Sequence, residues 1–364
     1  LEFLFEYGMF LAKSITLVVA IVAIVVVVAA SSMKSQGQGK GHIEVTMLNE
    51  KFDDIVEGIK SVVLDESDLK LEEKKRKADA KLEKKVAKEK LKAAKKSKKE
   101  PVESDNTVVA EVAKKRVFVT EFDGDIKASA TEELRKIVTA ILALATENDE
   151  VVVKLESQGG MVHSYGLASS QLTRITDKNI PLTICVDKVA ASGGYMMACV
   201  ANKIISAPFA IIGSIGVVAQ LPNFHRLLKK NDIDYEMLTA GEYKRTLTMF
   251  GEISDKGRKK FVEDLEDTHV LFKEFIHENR KAVDVDEVST GEIWFGSRAL
   301  AKNLVDEIQT SDQYLMDACS EADVFEINYI EKKTLPEKLG LSVAVAFDSV
   351  VNKTLTKLNN KIMS

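Results

Sequence analysis

The sequence predicts an α/β fold built on a largely parallel, buried sheet, and three observations carry that prediction. Four short runs, Arg116–Phe122, Val151–Leu155, Leu182–Val186 and Lys203–Ser206, are rich in branched residues, as strands covered on both faces are. The segments Thr131–Ala145 and Tyr165–Ile175 place apolar residues at helical spacing. Strand and helix alternate along the chain, the order in which parallel strands are joined. Periodicity carries the reading to fold class and no further.

Composition divides the 364 residues into four regions: 1–35, a membrane anchor; 36–107, an extension; 108–330, the α/β body; and 331–364, a tail. With 45% hydrophobic and 29% charged residues, the chain buries a sizeable core in one or two domains. In the first region Ile15 to Ala30 is an almost unbroken apolar run, extended across Lys13 by Phe10, Leu11 and Ala12. A membrane span needs about 20 such residues, and charges at its ends reach the interface. Ala29, Ala30 and Ser31 offer a cleavage site, but Glu2 and Glu6 make the leading segment acidic where a signal peptide is basic; an uncleaved anchor is expected. Lys34 and Lys40 follow the span and only Lys13 precedes it, a bias towards a cytoplasmic body.

The extension ends in a Lys/Glu/Ala-rich tract. Residues 70–99 hold fifteen Lys/Arg and five Asp/Glu, a balance of +10 within a chain of net charge −5, so the remainder carries −15. No aromatic residues interleave with these lysines, which argues against a nucleic-acid partner. A solvated helix or disordered tether is expected, with anionic lipid headgroups the more plausible attraction. Past Pro336, residues Leu339, Val343, Phe347, Val350, Val351 and Leu355 give the tail an amphipathic pattern, suited equally to its own core, a neighbouring subunit or a membrane surface.

The chemistry concentrates in the body. Ala190-Ala191-Ser192-Gly193-Gly194-Tyr195 is a small-residue corner that presents the Ser192 hydroxyl where backbone amides also reach a substrate. A serine nucleophile needs both a base and preorganised N–H donors for the oxyanion it creates; the plainer reading is a tight turn whose glycines only allow close packing. Upstream, Val151–Leu155 runs through Glu156, Ser157 and Gln158 into the paired Gly159 and Gly160 before a helix, an outline that exposes amide donors. Downstream lie Gly213-Ser214-Ile215-Gly216 and Gly241-Glu242-Tyr243-Lys244.

The base is harder to find. His42, His225, His269 and His277 stand in contexts that read as solvated or structural, and His163, three residues past the paired glycines, is the one histidine near the proposed site. A lysine serves instead if a desolvated site favours its neutral amine. Cys185 and Cys199 read as small core hydrophobes, and with Cys319 they form neither a disulfide framework nor a metal-ligand pattern. The helix expected from about Asp255 to Lys281 carries Phe261, Leu265, Val270, Leu271 and Phe275 as a packing stripe, and Trp294-Phe295-Gly296 reads as a cap on the domain.

The four motifs at 151–160, 191–195, 213–216 and 241–244, in this order and spacing, resemble the signal peptide peptidase A family, peptidase family S49. The resemblance covers about residues 110–330, and the apolar start with its charged extension resembles an inner-membrane branch of it. It implies a ClpP/crotonase-like spiral of ββα units, preceded by a transmembrane helix and a charged helical or disordered extension. It implies Ser192 as nucleophile, Lys244 as general base, Ser214 as the residue that orients the lysine, and Gly159, Gly160 and Gly193 as the oxyanion hole. It requires no cofactor and no metal. It further implies a single-pass bacterial inner-membrane protein with a periplasmic protease domain, opposite to the charge bias above. The partners it implies are peptide substrates, membrane lipid around the N-terminal helix, and a ring-like homo-oligomer in which serine and lysine come from adjacent subunits. One departure is that Gln158 stands where the family usually has proline, which would fix the backbone before the glycines.

The expected activity is therefore that of a serine endopeptidase cutting signal-peptide remnants or other unfolded membrane-associated peptides, with Ala190, Ala191, Val217 and Met249 as candidate walls for small or apolar side chains. The rival readings are a crotonase-like acyl-CoA-binding enzyme, which would need no serine nucleophile, and a noncatalytic membrane scaffold.

Overall fold

The computed structural model describes residues 41–65 and 114–331 throughout, with isolated positions among residues 7–19 and 67–81. The expected anchor, the lysine-rich tract and the tail lie almost wholly outside the described residues. Among the described residues no helix is long and apolar enough to cross a membrane. The chain forms two compact units, Leu1–Glu44 with Tyr329–Ser364, and Val45–Asn328. In the first, the Gly41 N–H donates to the Tyr329 hydroxyl at 3.1 Å.

In chain order the elements are β1 (His42–Met47), α1 (Leu48–Val63), β2 (Arg116–Gly124), α2 (Thr131–Leu142), β3 (Glu150–Ser157), α3 (Val162–Thr176), β4 (Leu182–Val186), β5 (Val189–Ala191) and α4 (Gly193–Ala198). There follow β6 (Lys203–Ser206), β7 (Ile211–Gly213), α5 (His225–Lys230), α6 (Asp255–Asn279), α7 (Val285–Val288), β8 (Ile293–Phe295), α8 (Gly296–Ala299), β9 (Glu307–Ile308), α9 (Ser311–Glu321) and β10 (Asp323–Ile330).

Strands β10, β2, β3, β4, β6 and β9 lie side by side and all pair in parallel. Their apolar runs are explained by burial: Val119, Val151, Val152, Val153, Leu182 and Ile184 have no exposed surface. Each such side chain contributes about 1.5–3 kcal/mol by leaving water. One core cluster joins Val117, Val119, Val152, Cys185, Ile205 and Val324 to Leu48 of α1 and Leu315 of α9. Asn49 fastens the same region, its amide donating to the Cys319 and Ala322 carbonyls and accepting the Val324 N–H, all at 2.8–2.9 Å. Thus α1, which falls in the segment expected as an extension, packs into the body. Helix α2 buries Leu134, Ile137, Val138 and Ile141, and α3 buries Tyr165, Ala168, Leu172 and Ile175, at the three- and four-residue spacing read from the sequence.

A second, shorter branch of the sheet positions the site. At the C-terminal end of β3, Ser157 pairs with Ala190 of β5; Ala190 and Ala191 pair with Ile212 and Gly213 of β7; and Gly213 pairs, antiparallel, with Ile293 of β8. These three-residue strands are too short to show a period in sequence, and they form because their partners are already in place.

Helix α6 forms as expected, capped by the Ser254 hydroxyl accepting the Gly257 N–H, but its packing face is corrected. Phe272 and Ile276 are buried, whereas Val270 and Leu271 face solvent. The body lies against the row that continues from Phe261 and Leu265 through Thr268, not the adjacent one. Cys185 and Cys199 are buried as small hydrophobes; burial pushes the Cys185 thiol up to about 12 and the Cys199 thiol in the same direction.

Candidate active site

Because β3, β5 and β7 run side by side in parallel, the segments that leave their C-terminal ends meet: 157–160, 192–193 and 213–214. Ser192 sits between β5 and α4 with φ 52° and ψ −118°. A serine in the left-handed half of backbone space, on a strand-to-helix turn, has the geometry of a nucleophile elbow, in which strain pushes the hydroxyl out of the chain. The turn is held at both ends: Ser192 N–H donates to Gly213 O at 2.8 Å, and Met196 N–H to Ser192 O at 2.9 Å. Ser214 also has positive φ, 51°, and its N–H donates to Glu292 O at 2.6 Å.

The glycines are set by close approach. Gly159 has φ +87°, and a Cβ there would lie 2.6 Å from Gly193 N, 2.7 Å from Ala191 O and 2.8 Å from Ser192 Cβ. A side chain at Gly160 would overlap the Ile126 carbonyl, and one at Gly193 the Tyr165 ring. The sequence grouped Gly159, Gly160 and Gly193 as one set of donors, and the structure distinguishes them. The Gly159 N–H is already donated to Ser157 Oγ at 3.0 Å. Gly160 and Gly193 line a cavity of about 80 Å³ together with Ser192.

That cavity corrects the expected walls. Val217 lines it, but Ala190 and Ala191 are buried within β5, and Met249 is an exposed loop residue outside it. Its other walls are Val162, Met196, Gly216, Val218, Thr268 and Phe272. Thr268 and Phe272 come from α6, 76 and 80 residues after Ser192; no local pattern announces them, and only the return of that helix over the Ser192 turn brings them in.

Lys244 stands apart in the single chain. It is exposed in the loop between α5 and α6, its N–H donates to Gly241 O at 3.2 Å, and among the described residues its amine has no hydrogen bond to Ser192 or Ser214. His163 is exposed on the first turn of α3. Among the described residues no group of His, Cys, Asp and Glu is arranged to hold a metal ion.

Ser192, with its strained backbone, shares a small, mostly apolar cavity with Gly160 and Gly193, and comparison with known proteins places the chain among the serine peptidases. Residues 2–172 match the peptidase family S49 N-terminal model and residues 174–324 the peptidase family S49 model; the join falls inside α3, so the two models share one continuous fold. The chain belongs to peptidase family S49. It is 45% identical over 362 residues to the probable protease SohB of Haemophilus influenzae, covering 100% of this chain and 99% of the relative. It is 46% identical over 333 residues to the probable protease SohB of Buchnera aphidicola subsp. Schizaphis graminum, covering 91% and 92%. Among solved structures it is similar to a membrane-bound stomatin-specific protease mutant, 1510-N, in complex with a substrate peptide, at 14% identity and a TM-score of 0.38, covering 64% of this chain and 99% of that one.

Proposed function

We propose that this serine peptidase works through a Ser192–Lys244 dyad on unfolded, membrane-associated peptides such as signal-peptide remnants. The observation that carries the reading is the strained Ser192 turn, which lines one cavity together with Gly160 and Gly193. Neutral Lys244 takes the Ser192 hydroxyl proton as Oγ bonds to the scissile carbonyl carbon, and the carbonyl electron pair moves onto oxygen. The Gly160 and Gly193 N–H groups receive that oxyanion; one such donor contributes about 10²–10³ in kcat. Collapse breaks the C–N bond, the Lys244 ammonium protonates the leaving amine, and a water activated by the same amine releases the acyl group. Ser214 orients the lysine. An opening of about 80 Å³ walled by Val162, Met196, Val217 and Val218 favours small apolar side chains.

In this reading the dyad closes between subunits of a ring-like homo-oligomer. Support comes from the stretch of chain that carries Lys244: Val218, Leu221, Leu227, Leu238, Met249 and Phe250 are all exposed, apolar surface that a subunit contact would cover. The described strands and helices are compatible with a ClpP/crotonase-like spiral of ββα units, and the apolar run Ile15–Ala30 with a single-pass anchor in the bacterial inner membrane that leaves the protease domain periplasmic. The four-region division into anchor, extension, peptidase domain and tail belongs to the same proposal.

The test is mixing. Ser192→Ala and Lys244→Ala proteins are each expected to be inactive on an apolar peptide, and their mixture to regain part of the activity because mixed rings contain intact pairs. Either variant cleaving at the wild-type rate refutes the dyad; two inactive variants that never complement refute its sharing between subunits.

A further inference from the structure

Gln158 is exposed and cannot stiffen the turn before the glycines as a proline would, yet this turn is fixed. What fixes it is a buried chain of hydrogen bonds. Tyr165, with no exposed surface, donates its hydroxyl to Asp125 O at 2.8 Å. A carbonyl only accepts, so that proton is committed and the Tyr165 oxygen receives the Ser157 hydroxyl, 2.6 Å away. Ser157 Oγ in turn accepts the Gly159 N–H at 3.0 Å; its alternative acceptor, Gly124 O, is 3.5 Å away, too long to compete. The Tyr165 ring packs against Gly193 while its hydroxyl holds Ser157, so one side chain links the two segments that carry the proposed oxyanion donors.

The far end of the chain is anchored as well. The Asp125 carboxylate accepts the Lys127 and Ser129 N–H groups and the Ser129 hydroxyl, at 2.8–3.0 Å. That turn presents the Ile126 carbonyl, which takes the Met161 N–H at 2.8 Å and abuts Gly160.

We propose that Tyr165 and Ser157 are positioning residues of the oxyanion site. By engaging the Gly159 N–H and bracing Gly193, they leave the Gly160 and Gly193 amides as the pair aimed at the developing oxyanion. The inference rests on the serine-nucleophile reading above. Neither residue touches substrate. A donor held within a few tenths of an ångström strengthens only as charge develops, so loosening the loop lowers kcat and spares KM.

The experiment uses the full chain and a matched pair of inhibitors: a peptide aldehyde, which adds to Ser192 and creates an oxyanion, and the corresponding peptide alcohol, which does not. Tyr165→Phe and Ser157→Ala are each expected to lower kcat about 10-fold with KM within twofold. Each is also expected to weaken aldehyde binding about 10-fold and leave alcohol binding unchanged. The double variant is expected to lose no more than the worse single one, since both cut one chain. A wild-type ratio of aldehyde to alcohol affinity in the variants overturns the proposal. So does an equal loss of both ligands, which is the mark of general loosening. Ser157→Ala, the smaller change, carries the test alone if Tyr165→Phe does not fold. Ser192→Ala separates the two levels: if it binds the aldehyde as tightly as wild type, the nucleophile is misassigned, whereas normal loss there with wild-type ratios in the other variants sinks only the positioning role.

Discussion

Gly159→Ala tests the packing on which the site depends. The new methyl carbon would stand 2.6–2.8 Å from Gly193 N, Ala191 O and Ser192 Cβ, about 0.6–0.8 Å inside ordinary contact with three atoms at once. All three belong to the Ser192 turn, which is tied to Gly213 and cannot give way alone. Positive φ adds about 1–2 kcal/mol for a residue with a Cβ, and relieving the overlap brings the expected loss of stability to about 2–4 kcal/mol. The larger effect falls on chemistry: a shift approaching 1 Å at the reacting centre costs on the order of 10²-fold in rate. The assay is the rate at which a fluorophosphonate labels Ser192, alongside kcat on a peptide and a urea midpoint. Gly166→Ala is the control, because a Cβ there meets nothing within 4 Å and the helix gains about 0.5–1 kcal/mol. Labelling of Gly159→Ala at the wild-type rate would show that the Gly159–Ser192 approach does not set the position of the Ser192 hydroxyl.

Two further predictions concern the frame that carries the site. Asp149 accepts Arg116 Nε and Nη2 at 3.0 and 2.6 Å and the Thr146 amide and hydroxyl at 2.8 and 2.9 Å; burial opposes its ionisation, but these donors outweigh it and hold the carboxyl at about 2. A folded value below the unfolded one means stability present above about pH 4 and lost as pH falls towards 2, about 2 kcal/mol in all. Urea midpoints from pH 7 to pH 2 should show that loss in the wild type and a shallower one in Asp149→Asn; identical acid limbs would refute the assignment. Arg280, 8% exposed, donates to Asp306 at 2.8 and 3.0 Å and to Asn303 O at 2.7 Å, beneath the helix that follows Ser192. Arg280→Met is expected to cost about 2–3 kcal/mol, below the range for a fully enclosed pair because the Asp306 carboxylate still meets solvent; a urea-derived loss under about 1 kcal/mol would contradict the role.

Some elements were legible in sequence because their signal is local. Leu182–Val186 and Lys203–Ser206 are strands with the expected ends, and β2 and β3 extend the expected runs by at most two residues at either end. Branched residues in unbroken apolar runs have no other stable home than a strand buried on both faces. The three-residue strands β5 and β7 were not legible, since so short a segment pairs only because neighbours wait for it. The stripe on α6 was misplaced by one row for a related reason: its apolar residues are spread around the helix, and the body chooses which row to cover.

The sequence alone determined the fold class and the nucleophile candidate, because small residues around a single serine and apolar runs at strand length encode their consequences within a few positions. Tertiary structure decided the rest. It set which amide is already engaged, since Gly159 and Gly160 are alike in sequence, yet Gly159 has positive φ and donates to Ser157 while Gly160 abuts the Ile126 carbonyl. It supplied Thr268 and Phe272 to the cavity, and it left Lys244 in solvent on the single chain. Hydrogen-bond partners and cavity walls depend on where distant segments come to rest, and that is fixed by the packing of the whole sheet and its helices.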